Sequence, residues 1–422
     1  MGMDVPDAIQ LMGDKQWQEI KSRLTGKFNK MMKGLFRQKG AQLDINILAS
    51  DEAQEFITTH AGILDGGFQK VEMSDKMRER LTRSNYIFSG IKTFHELNEA
   101  FPSMLDENGN KKPFERFLND VRKINDTYNA NYLHAEYNFV QASATMAAKW
   151  EQFSEDGDRY NLQYRTAKDD KVRPEHAALD GVTLPMSDSF WETYYPPNGW
   201  NCRCSVVQVR KQKYPATEHT EAMSRGEEAM NGERYNIFRF NSGKQGKTMP
   251  DYNPYTIKRC NDCDVAKGGN TKLGFVPDYQ LCQGCIMIRK CSEDRNKDNS
   301  AKATKKSPEV KKLQGTTISN PDFNHEVLVT GGSIREWTNQ PHKEYAAKNS
   351  ILKHIAKVFR EANYIGFIDN FKKKPGVKQS HLFETNVLGE LSWIIVREYE
   401  IGEFVLHSIS DSDKIKTGIR KE

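Results

Sequence analysis

The fold of the middle of the chain is set by residues 195–204, which read Tyr-Pro-Pro-Asn-Gly-Trp-Asn-Cys-Arg-Cys. Two successive prolines hold the backbone extended, and the glycine that follows permits a turn. If residues 202–204 form a strand, Cys202 and Cys204 share one face and Arg203 points to the other. A disulfide between positions i and i+2 would be strained, so we predict that the two thiols do not pair with each other.

Further metal-binding groups are offered by two residues that lie earlier in the chain. His176 and Asp169 lie in residues 164–181 and are expected to come near the thiols in the fold. Thiolate sulfur and imidazole nitrogen are the ligands of tetrahedral zinc sites, so we predict a zinc site formed by His176, Cys202 and Cys204. The alternative is that both cysteines are small buried core residues and that His176 is a structural histidine. The sequence leaves both interpretations open.

These motifs resemble a known family. The features that carry the resemblance are Arg165, Asp169, His176, Asp180-Gly181 and the element Pro-Pro-x-Gly-x-x-Cys-Arg-Cys. Over about residues 80–255 the chain is similar to the phage Mu F-like head morphogenesis family of minor head proteins. The resemblance implies a virion or procapsid component that binds the portal and assists head assembly, without catalysis in this module.

Four further cysteines form two matched pairs. Cys260 and Cys263, then Cys282 and Cys285, give a Cys-x-x-Cys array repeated after eighteen residues. This spacing is typical of zinc ribbons, in which four thiolates close the metal's coordination shell and the zinc is structural. Cys291 is a reserve ligand. The alternative is four cysteines on two unrelated turns.

The amino-acid composition limits the classes of protein to which this chain can belong. The chain has 422 residues, of which 37% are hydrophobic and 28% charged, and this length predicts about two to four domains. Seven cysteines in so long a chain indicate metal sites in a reducing compartment rather than a disulfide scaffold. We find no apolar run long enough to span a bilayer and no signal peptide, so we expect no membrane partner.

The basic excess is confined to one segment. Residues 286–312 contain nine Lys or Arg and four Asp or Glu, an excess that equals the net charge of +5. Basic residues spread over a folded face, the usual mark of nucleic-acid binding, are therefore not indicated. We predict a solvated linker here, with contact to phage DNA as a secondary role.

The predicted fold class is multidomain. Apolar residues recur every three or four positions over residues 14–37 and 113–150, which predicts helices in the mainly α N-terminal part. The predicted domains are a helical region (1–80), an irregular α+β Mu F-like module (81–255), a small zinc-ribbon-like segment (256–292), a basic linker (293–320) and a C-terminal α+β domain (321–422).

The C-terminal domain is predicted to pack a helix on an antiparallel sheet. A helix begins near Pro341 and carries Lys348 in an otherwise apolar stripe, where a lysine either reaches past the sheet edge or points into a cleft. Strand-like runs follow at 380–388, 391–399 and 403–410. Half of the ten histidines fall in this domain. That suggests acid–base chemistry, although ordinary surface histidines would give the same count.

This order of elements resembles the Barnase–EndoU–colicin–RelE-like nuclease superfamily, in particular phage-associated members that follow Mu F-like modules. The stretches that carry the resemblance are Val327-Leu328-Val329-Thr330-Gly331, Glu336-Trp337, Lys348-Asn349, His381-x-Phe383-Glu384 and Leu406-His407-Ser408-Ile409. The resemblance implies a toxin-type ribonuclease that needs no metal and has an immunity protein as a partner.

The expected chemistry is attack of a ribose 2′-hydroxyl on the adjacent phosphate, which needs a base, an acid and a cation. We assign His381 as base or acid and Lys348 as the cation. His407 or Ser408 would serve as a phosphate contact or partner acid. Only one of them can line the site, because neighbouring strand residues face opposite sides. His342, at the start of the helix, is a reserve candidate.

Together these features predict a phage or prophage minor head protein, located in the virion and the host cytoplasm, with portal and capsid proteins as partners. RNA is the expected substrate of the C-terminal domain, with the basic loop 372–378 holding its backbone. One alternative is a structural protein whose C-terminal domain binds without turnover. The other is a DNA-binding packaging factor. Whether the domain is an enzyme is left open by the sequence.

Overall fold

The computed structural model describes residues 14–40, 42–250, 253–255, 283–370, 374–387 and 390–420. It divides the chain into two compact units, Met1–Ser292 and Glu293–Glu422. The first unit is mainly helical with a small sheet, and the second is built around a larger sheet. The predicted multidomain mixture of helical and sheet parts is therefore confirmed.

Long helices dominate the first unit. The helices are α1 (Asp14–Phe36), α2 (Asp51–Asp65), α3 (Asp75–Ala100), α4 (Phe114–Asn125), α5 (Leu133–Asp156), α6 (Pro174–Ala177), α7 (Phe190–Thr193), α8 (His219–Ala229) and α9 (Ser242–Gln245). Short 3-10 turns lie at Ile45–Ala49, Gly66–Phe68, Phe101–Met104, Gly157–Arg159 and Glu233–Phe238. Ser50 and Ser74 cap α2 and α3 by accepting backbone hydrogen bonds, which satisfies N–H groups that have no partner within the helix.

Helix α1 confirms the helix predicted over residues 14–37. Leu24, Phe28, Met31 and Leu35 recur at intervals of three or four and are fully buried. An amphipathic helix that packs one face on a core requires this spacing.

The helix predicted over residues 113–150 is interrupted once. A π-helical turn, Asp126–Asn131, separates α4 from α5. Within that turn the carbonyl of Tyr128 accepts a hydrogen bond of 2.7 Å from the buried ammonium of Lys92. A side chain that binds a helix carbonyl competes with the regular backbone ladder, which accounts for the wider turn.

Three antiparallel strands follow α5. They are β1 (Asn161–Arg165), β2 (Thr183–Pro185) and β3 (Ser205–Val209), in the order β2-β1-β3. In the central strand β1, Arg165 at the end of the strand pairs with Ser205 at the start of β3. The residues just after β1 therefore lie beside the residues just before β3.

Helix α9 packs tightly against α5. A Cβ atom placed on Gly243 would lie 2.1 Å from Cβ of Trp150. That distance is far shorter than any contact between carbon atoms, so this close approach requires glycine. Trp191, Tyr194 and Tyr195 are fully buried in the core of the same unit.

The segment expected to be a solvated linker is ordered. Helix α10 (Gln283–Lys306) and α11 (Pro308–Lys312) cover most of residues 293–320. The linker prediction relied on charge, but alanine and lysine are also strong helix formers. The segment buries Val310 and Ile318 as well, which ties it to the core of the second unit.

In the described part of the second unit the sheet has six strands. They are β4 (Thr316–Asn320), β5 (Phe323–Val329), β6 (Asn363–Asp369), β7 (Val377–Val387), β8 (Glu390–Tyr399) and β9 (Phe404–Ser410). The strand order is β4-β5-β9-β8-β7-β6, and only the β5–β9 pair is parallel among these strands. The predicted meander is present as β7–β9, and a β4–β5 hairpin extends it.

Short helices pack against this sheet. They are α12 (Gly331–Asn339), α13 (Tyr345–Ile351) and α14 (Ile355–Glu361), with 3-10 turns at Leu352–His354 and Asp413–Lys416. The helix predicted from Pro341 is thus divided into α13 and α14. Trp337, Phe359, Phe383 and Ile394 are buried between the helices and the sheet.

Candidate functional site

Two neighbouring segments of the first unit bring the predicted zinc ligands together. Helix α6 begins at Pro174, whose fixed φ suits a first helical turn, and holds His176 at 2% exposure. Cys202 and Cys204 are 4% and 8% exposed and lie in irregular backbone just before β3, not in a strand. Their Sγ atoms are 3.7 and 3.8 Å from Nδ1 of His176.

Buried hydrogen bonds hold the loop that carries the two cysteines. The hydroxyl of Tyr164 in β1 donates to Oδ1 of Asn198 at 2.8 Å, and both side chains are fully buried. The guanidinium of Arg173, which precedes α6, donates to the carbonyl of Trp200 at 2.6 Å. The loop 195–204 is thereby fixed to both elements that surround the cluster.

Asp169 has a different role from the one expected. Its two oxygens accept hydrogen bonds of 2.6 and 2.7 Å from the guanidinium of Arg203. The expectation that Asp169 lies among the metal-binding groups is therefore corrected. Among the described residues, the cluster of possible metal ligands comprises His176, Cys202 and Cys204.

The two thiols influence each other's ionisation. Their mutual hydrogen bond lowers the pKa of Cys202 well below that of an ordinary thiol, and His176 acts in the same direction. The same hydrogen bond, together with burial, raises the pKa of Cys204. The pair therefore favours one thiolate beside one thiol, and thiolate is the form that binds metals.

A cavity of about 520 Å³ opens beside the cluster. His176, both cysteines and the basic side chains of Lys171 and Arg173 are among its lining residues. Nε2 of His176 is buried and has no hydrogen-bond partner in the described part of the chain. The site therefore combines buried sulfur and nitrogen ligands with open space.

The predicted zinc ribbon falls largely outside the described residues. Cys260, Cys263 and Cys282 all lie there. Cys285 lies in α10, is fully buried and follows Gly284, where an added Cβ would come within 2.6 Å of the Phe94 ring. The ribbon stays a prediction.

A buried charged cluster in the first unit was not predicted. Nζ of Lys92 lies 2.7 Å from Oε2 of Glu136 and 3.1 Å from Nε2 of His60, and each residue is at most 3% exposed. Burial, and then Lys92, lower the pKa of His60 to about 4. Although burial opposes it, Lys92 and His60 lower the pKa of Glu136 to about 2. In the sequence, the sign of this buried charged cluster is the spacing of two charged residues. Lys92 and Glu96 are four residues apart, lie on one face of α3 and are both buried.

In the second unit, His381 lies on β7 with both ring nitrogens bonded. Nδ1 is 2.9 Å from the hydroxyl of Tyr364, and Nε2 is 3.0 Å from Oε2 of Glu398. His381 is 2% exposed, and the rings of Phe323 and Phe404 lie 4.8 and 5.6 Å from its own. Sequence reasoning missed Glu398, although the predicted β7–β8 hairpin would have placed it near His381.

Lys348 neither reaches solvent nor enters an open cleft. It is fully buried, and its Nζ donates to the carbonyls of Trp337 and Gln340 at 2.5 and 2.8 Å. An ammonium at a helix C-terminus satisfies carbonyls that have no partner within the helix. Burial lowers the pKa of Lys348 to about 7.

His407 and Ser408 lie at an irregularity in β9. The pairing of β9 with β8 skips from Leu406 to Ser408, so His407 is the extra residue of a bulge. Burial, followed by the cations Arg397 and Lys374, lowers the pKa of His407 to about 4. Part of the basic loop 372–378 lies outside the described residues.

The structure does not bring the predicted catalytic residues into one site. His342 and His381 contact different positions on β8. Nε2 of His342 is 3.0 Å from Oγ of Ser392, whereas His381 pairs with Val396, which lies four residues after Ser392. Four residues of strand span roughly 13 Å. Lys348 acts electrostatically on His342, so it belongs to the end of the domain away from His381.

Comparison with known families classifies the region that contains the cluster. Residues 108–207, which include His176, Cys202 and Cys204, match the family described as Phage Mu protein F like protein. The Mu F-like resemblance is thus supported for this part of the chain. Residues 295–406 match the family described as Large polyvalent protein-associated domain 3. No solved structure matches the chain.

Two curated relatives extend the similarity. Over 285 residues the chain is 30% identical to "Putative capsid assembly protein F" of Escherichia phage Mu. The matched region covers 62% of this chain and 61% of that protein. Over 102 residues it is 33% identical to "Mu-like prophage FluMu F protein" of Haemophilus influenzae, which covers 24% and 22%. The chain thus spans less than two thirds of each relative.

Among the described helices, none is long and apolar enough to cross a bilayer.

Proposed function

We propose that this protein takes part in assembling the head of a Mu-like phage and that its first unit contacts portal and capsid proteins. The observation that carries the proposal is the similarity over 285 residues to a Mu protein whose name describes capsid assembly. The family match over residues 108–207 also supports it, and the matched residues include β1, β2 and the cluster of His176, Cys202 and Cys204. A location in the virion and the host cytoplasm follows from this role.

The test is complementation of a phage or prophage from which this gene is deleted. We expect the deletion to reduce the yield of assembled heads seen by electron microscopy, and the full chain to restore it. A full chain with His381→Gln should restore head assembly equally well, because the proposal assigns assembly to the first unit. Heads formed at normal yield without the gene would contradict the proposal.

We also propose that the second unit is a metal-independent ribonuclease of toxin type centred on what we call the His381 cluster. The cluster consists of Tyr364, Lys378, Gln379, His381 and Glu398. The observation in its favour is an imidazole oriented by a carboxylate, the arrangement that general acid–base catalysis uses.

The His381 cluster also offers a cation that reaches solvent. Nζ of Lys378 is 2.7 Å from Oε1 of Glu398, and the Lys378 side chain is 60% exposed. Lys378 therefore replaces Lys348 in this proposal as the group that binds a phosphate. Because His381 is 2% exposed and rings such as those of Phe323 and Phe404 pack against it, RNA reaches its ring only after neighbouring side chains move aside.

The test is cleavage of RNA by the full-length protein in the presence of a metal chelator. We expect His381→Gln to reduce the rate by about 10²-fold or more, the usual effect of losing a general acid or base. His354→Gln, which changes an exposed histidine of the same unit, should leave the rate unchanged. RNA that is bound but not cleaved by the unsubstituted protein would favour a binding module, and equal cleavage by both variants would refute the assignment.

A further inference from the structure

We propose that His176, Cys202 and Cys204 bind one Zn²⁺ ion through Nδ1 and the two Sγ atoms, and that the fourth coordination position faces the adjacent cavity. The site is buried, is formed by three side chains from two segments, and lies within the Mu F-like region. It is distinct from the predicted zinc ribbon, which uses other cysteines.

The distances between the ligand atoms fit a bound ion. With Zn–S of about 2.3 Å and Zn–N of about 2.0–2.1 Å, tetrahedral geometry separates nitrogen from sulfur by roughly 3.6 Å. The two Nδ1–Sγ distances are 3.7 and 3.8 Å, and the three ligand atoms lie within 4.8 Å of one another. One ion can therefore contact all three atoms with little movement of the side chains.

Hydrogen bonding alone explains this arrangement less well. Both sulfur atoms approach the same atom, Nδ1 of His176, at nearly equal distances. An imidazole nitrogen has one lone pair and so accepts one hydrogen bond. The mutual hydrogen bond of the two thiols brings the second sulfur near the first, and a shared metal ion accounts in addition for the two nearly equal Nδ1–Sγ distances.

The surrounding structure holds the ligands in place before a metal arrives. Asn198 and Trp200, in the loop just before the cysteines, are bonded to Tyr164 and Arg173. The loop therefore loses little further freedom on binding, which favours affinity. Because the cysteines lie 26 and 28 residues after His176, the ion would also cross-link two distant segments.

Among the described residues, three side chains offer ligand atoms at this site. Asp169, the nearest expected candidate for a fourth, is held by Arg203. Structural zinc sites have four protein ligands, whereas three ligands with an open position leave room for water or another molecule. The cavity of about 520 Å³ beside the cluster provides that room, and Lys171 and Arg173 in its wall favour an anionic ligand such as hydroxide.

The test uses the full-length protein with Cys260→Ser and Cys263→Ser, which disable the predicted ribbon. Purified under reducing conditions, this protein should retain about one zinc equivalent, measured by elemental mass spectrometry. Adding Cys204→Ser should remove that equivalent. Adding His219→Gln instead, which changes a half-exposed histidine of α8 that pairs with Asp188, should leave it in place. A metal content unchanged by Cys204→Ser would overturn the proposal.

A second measurement does not depend on the Cys204→Ser variant folding. Co²⁺ added to the ribbon-deficient protein should give thiolate-to-cobalt charge-transfer absorption of about half the intensity expected for four thiolates. Adding azide should shift the visible cobalt bands without releasing the metal, because azide would occupy the open position. A protein that binds neither Zn²⁺ nor Co²⁺ would overturn the site, and a cobalt spectrum insensitive to azide would overturn the open position.

Discussion

Replacing Glu96 by glutamine should stabilise the first unit by an amount that grows with pH. Glu96 lies on α3 and is fully buried. Burial raises its pKa from the ordinary value of 4.5 to about 8, even though the nearby ammonium of Lys92 acts in the opposite direction. The side chain is therefore a neutral acid in the folded unit at pH 7, and glutamine has nearly the same shape.

The size of the effect follows from proton linkage. Between pH 4.5 and about pH 8 the folded unit keeps the Glu96 proton, while the unfolded chain releases it. The folded state then binds more protons, so its stability falls as the pH rises, by about 1.4 kcal/mol per pH unit. The protein should lose roughly 3 kcal/mol of stability through this group between pH 5 and pH 7. The E96Q variant has no such group and should not show this loss.

Hydrogen–deuterium exchange of peptides from α3 measures this difference within the first unit. After correction for the intrinsic exchange rate at each pH, the E96Q variant should gain protection over the unsubstituted protein from pH 5 to pH 7. Glu79→Gln, at an exposed position on the same helix, serves as the control and should give no such trend. A difference between E96Q and the unsubstituted protein that stays constant with pH would refute the reasoning.

The remaining predictions concern other buried contacts. Lys92→Met should destabilise the first unit by about 3–5 kcal/mol, because it removes the ammonium that neutralises the buried carboxylate of Glu136. Adding Glu136→Gln should recover part of that loss in exchange experiments. The pKa of Lys348 is lowered to about 7, so between pH 7 and pH 9 the unfolded chain binds a proton that the folded unit does not. The stability of the second unit should therefore rise by about 1.4 kcal/mol per pH unit over this range. Lys348→Met should abolish this rise, measured by hydrogen–deuterium exchange of α13 peptides. Gly243→Ala should lower the thermal midpoint of the first unit through a clash costing about 1–3 kcal/mol, whereas Gly62→Ala, where a Cβ meets no atom within 4 Å, should not lower it.

The sequence predicted the elements whose signal is local. The helix over residues 14–37 and the three C-terminal strand runs follow from side-chain periodicity, and the structure places them within a few residues of the prediction. The proximity of His176 to Cys202 and Cys204 was also expected, and the structure places Nδ1 at 3.7 and 3.8 Å from the two sulfur atoms.

What sequence reasoning missed depends on pairing between distant residues. Asp169 was expected among the metal-binding groups, but both of its oxygens bind the guanidinium of Arg203, which lies between the two cysteines, and nothing in the spacing indicates this pair. Lys348 was expected to be a catalytic cation, but carbonyls at the end of α12 bind its ammonium. Residues 293–320 were expected to be a linker because charge was weighed above helix propensity, but helix Gln283–Lys306 extends into this segment.

The central claim is that this chain is part of a phage head. The most direct measurement is quantitative mass spectrometry of procapsids and heads purified from cells that express the unsubstituted protein. We expect its peptides at a constant ratio to those of the portal protein through every purification step. Their absence from both procapsids and heads would contradict the claim.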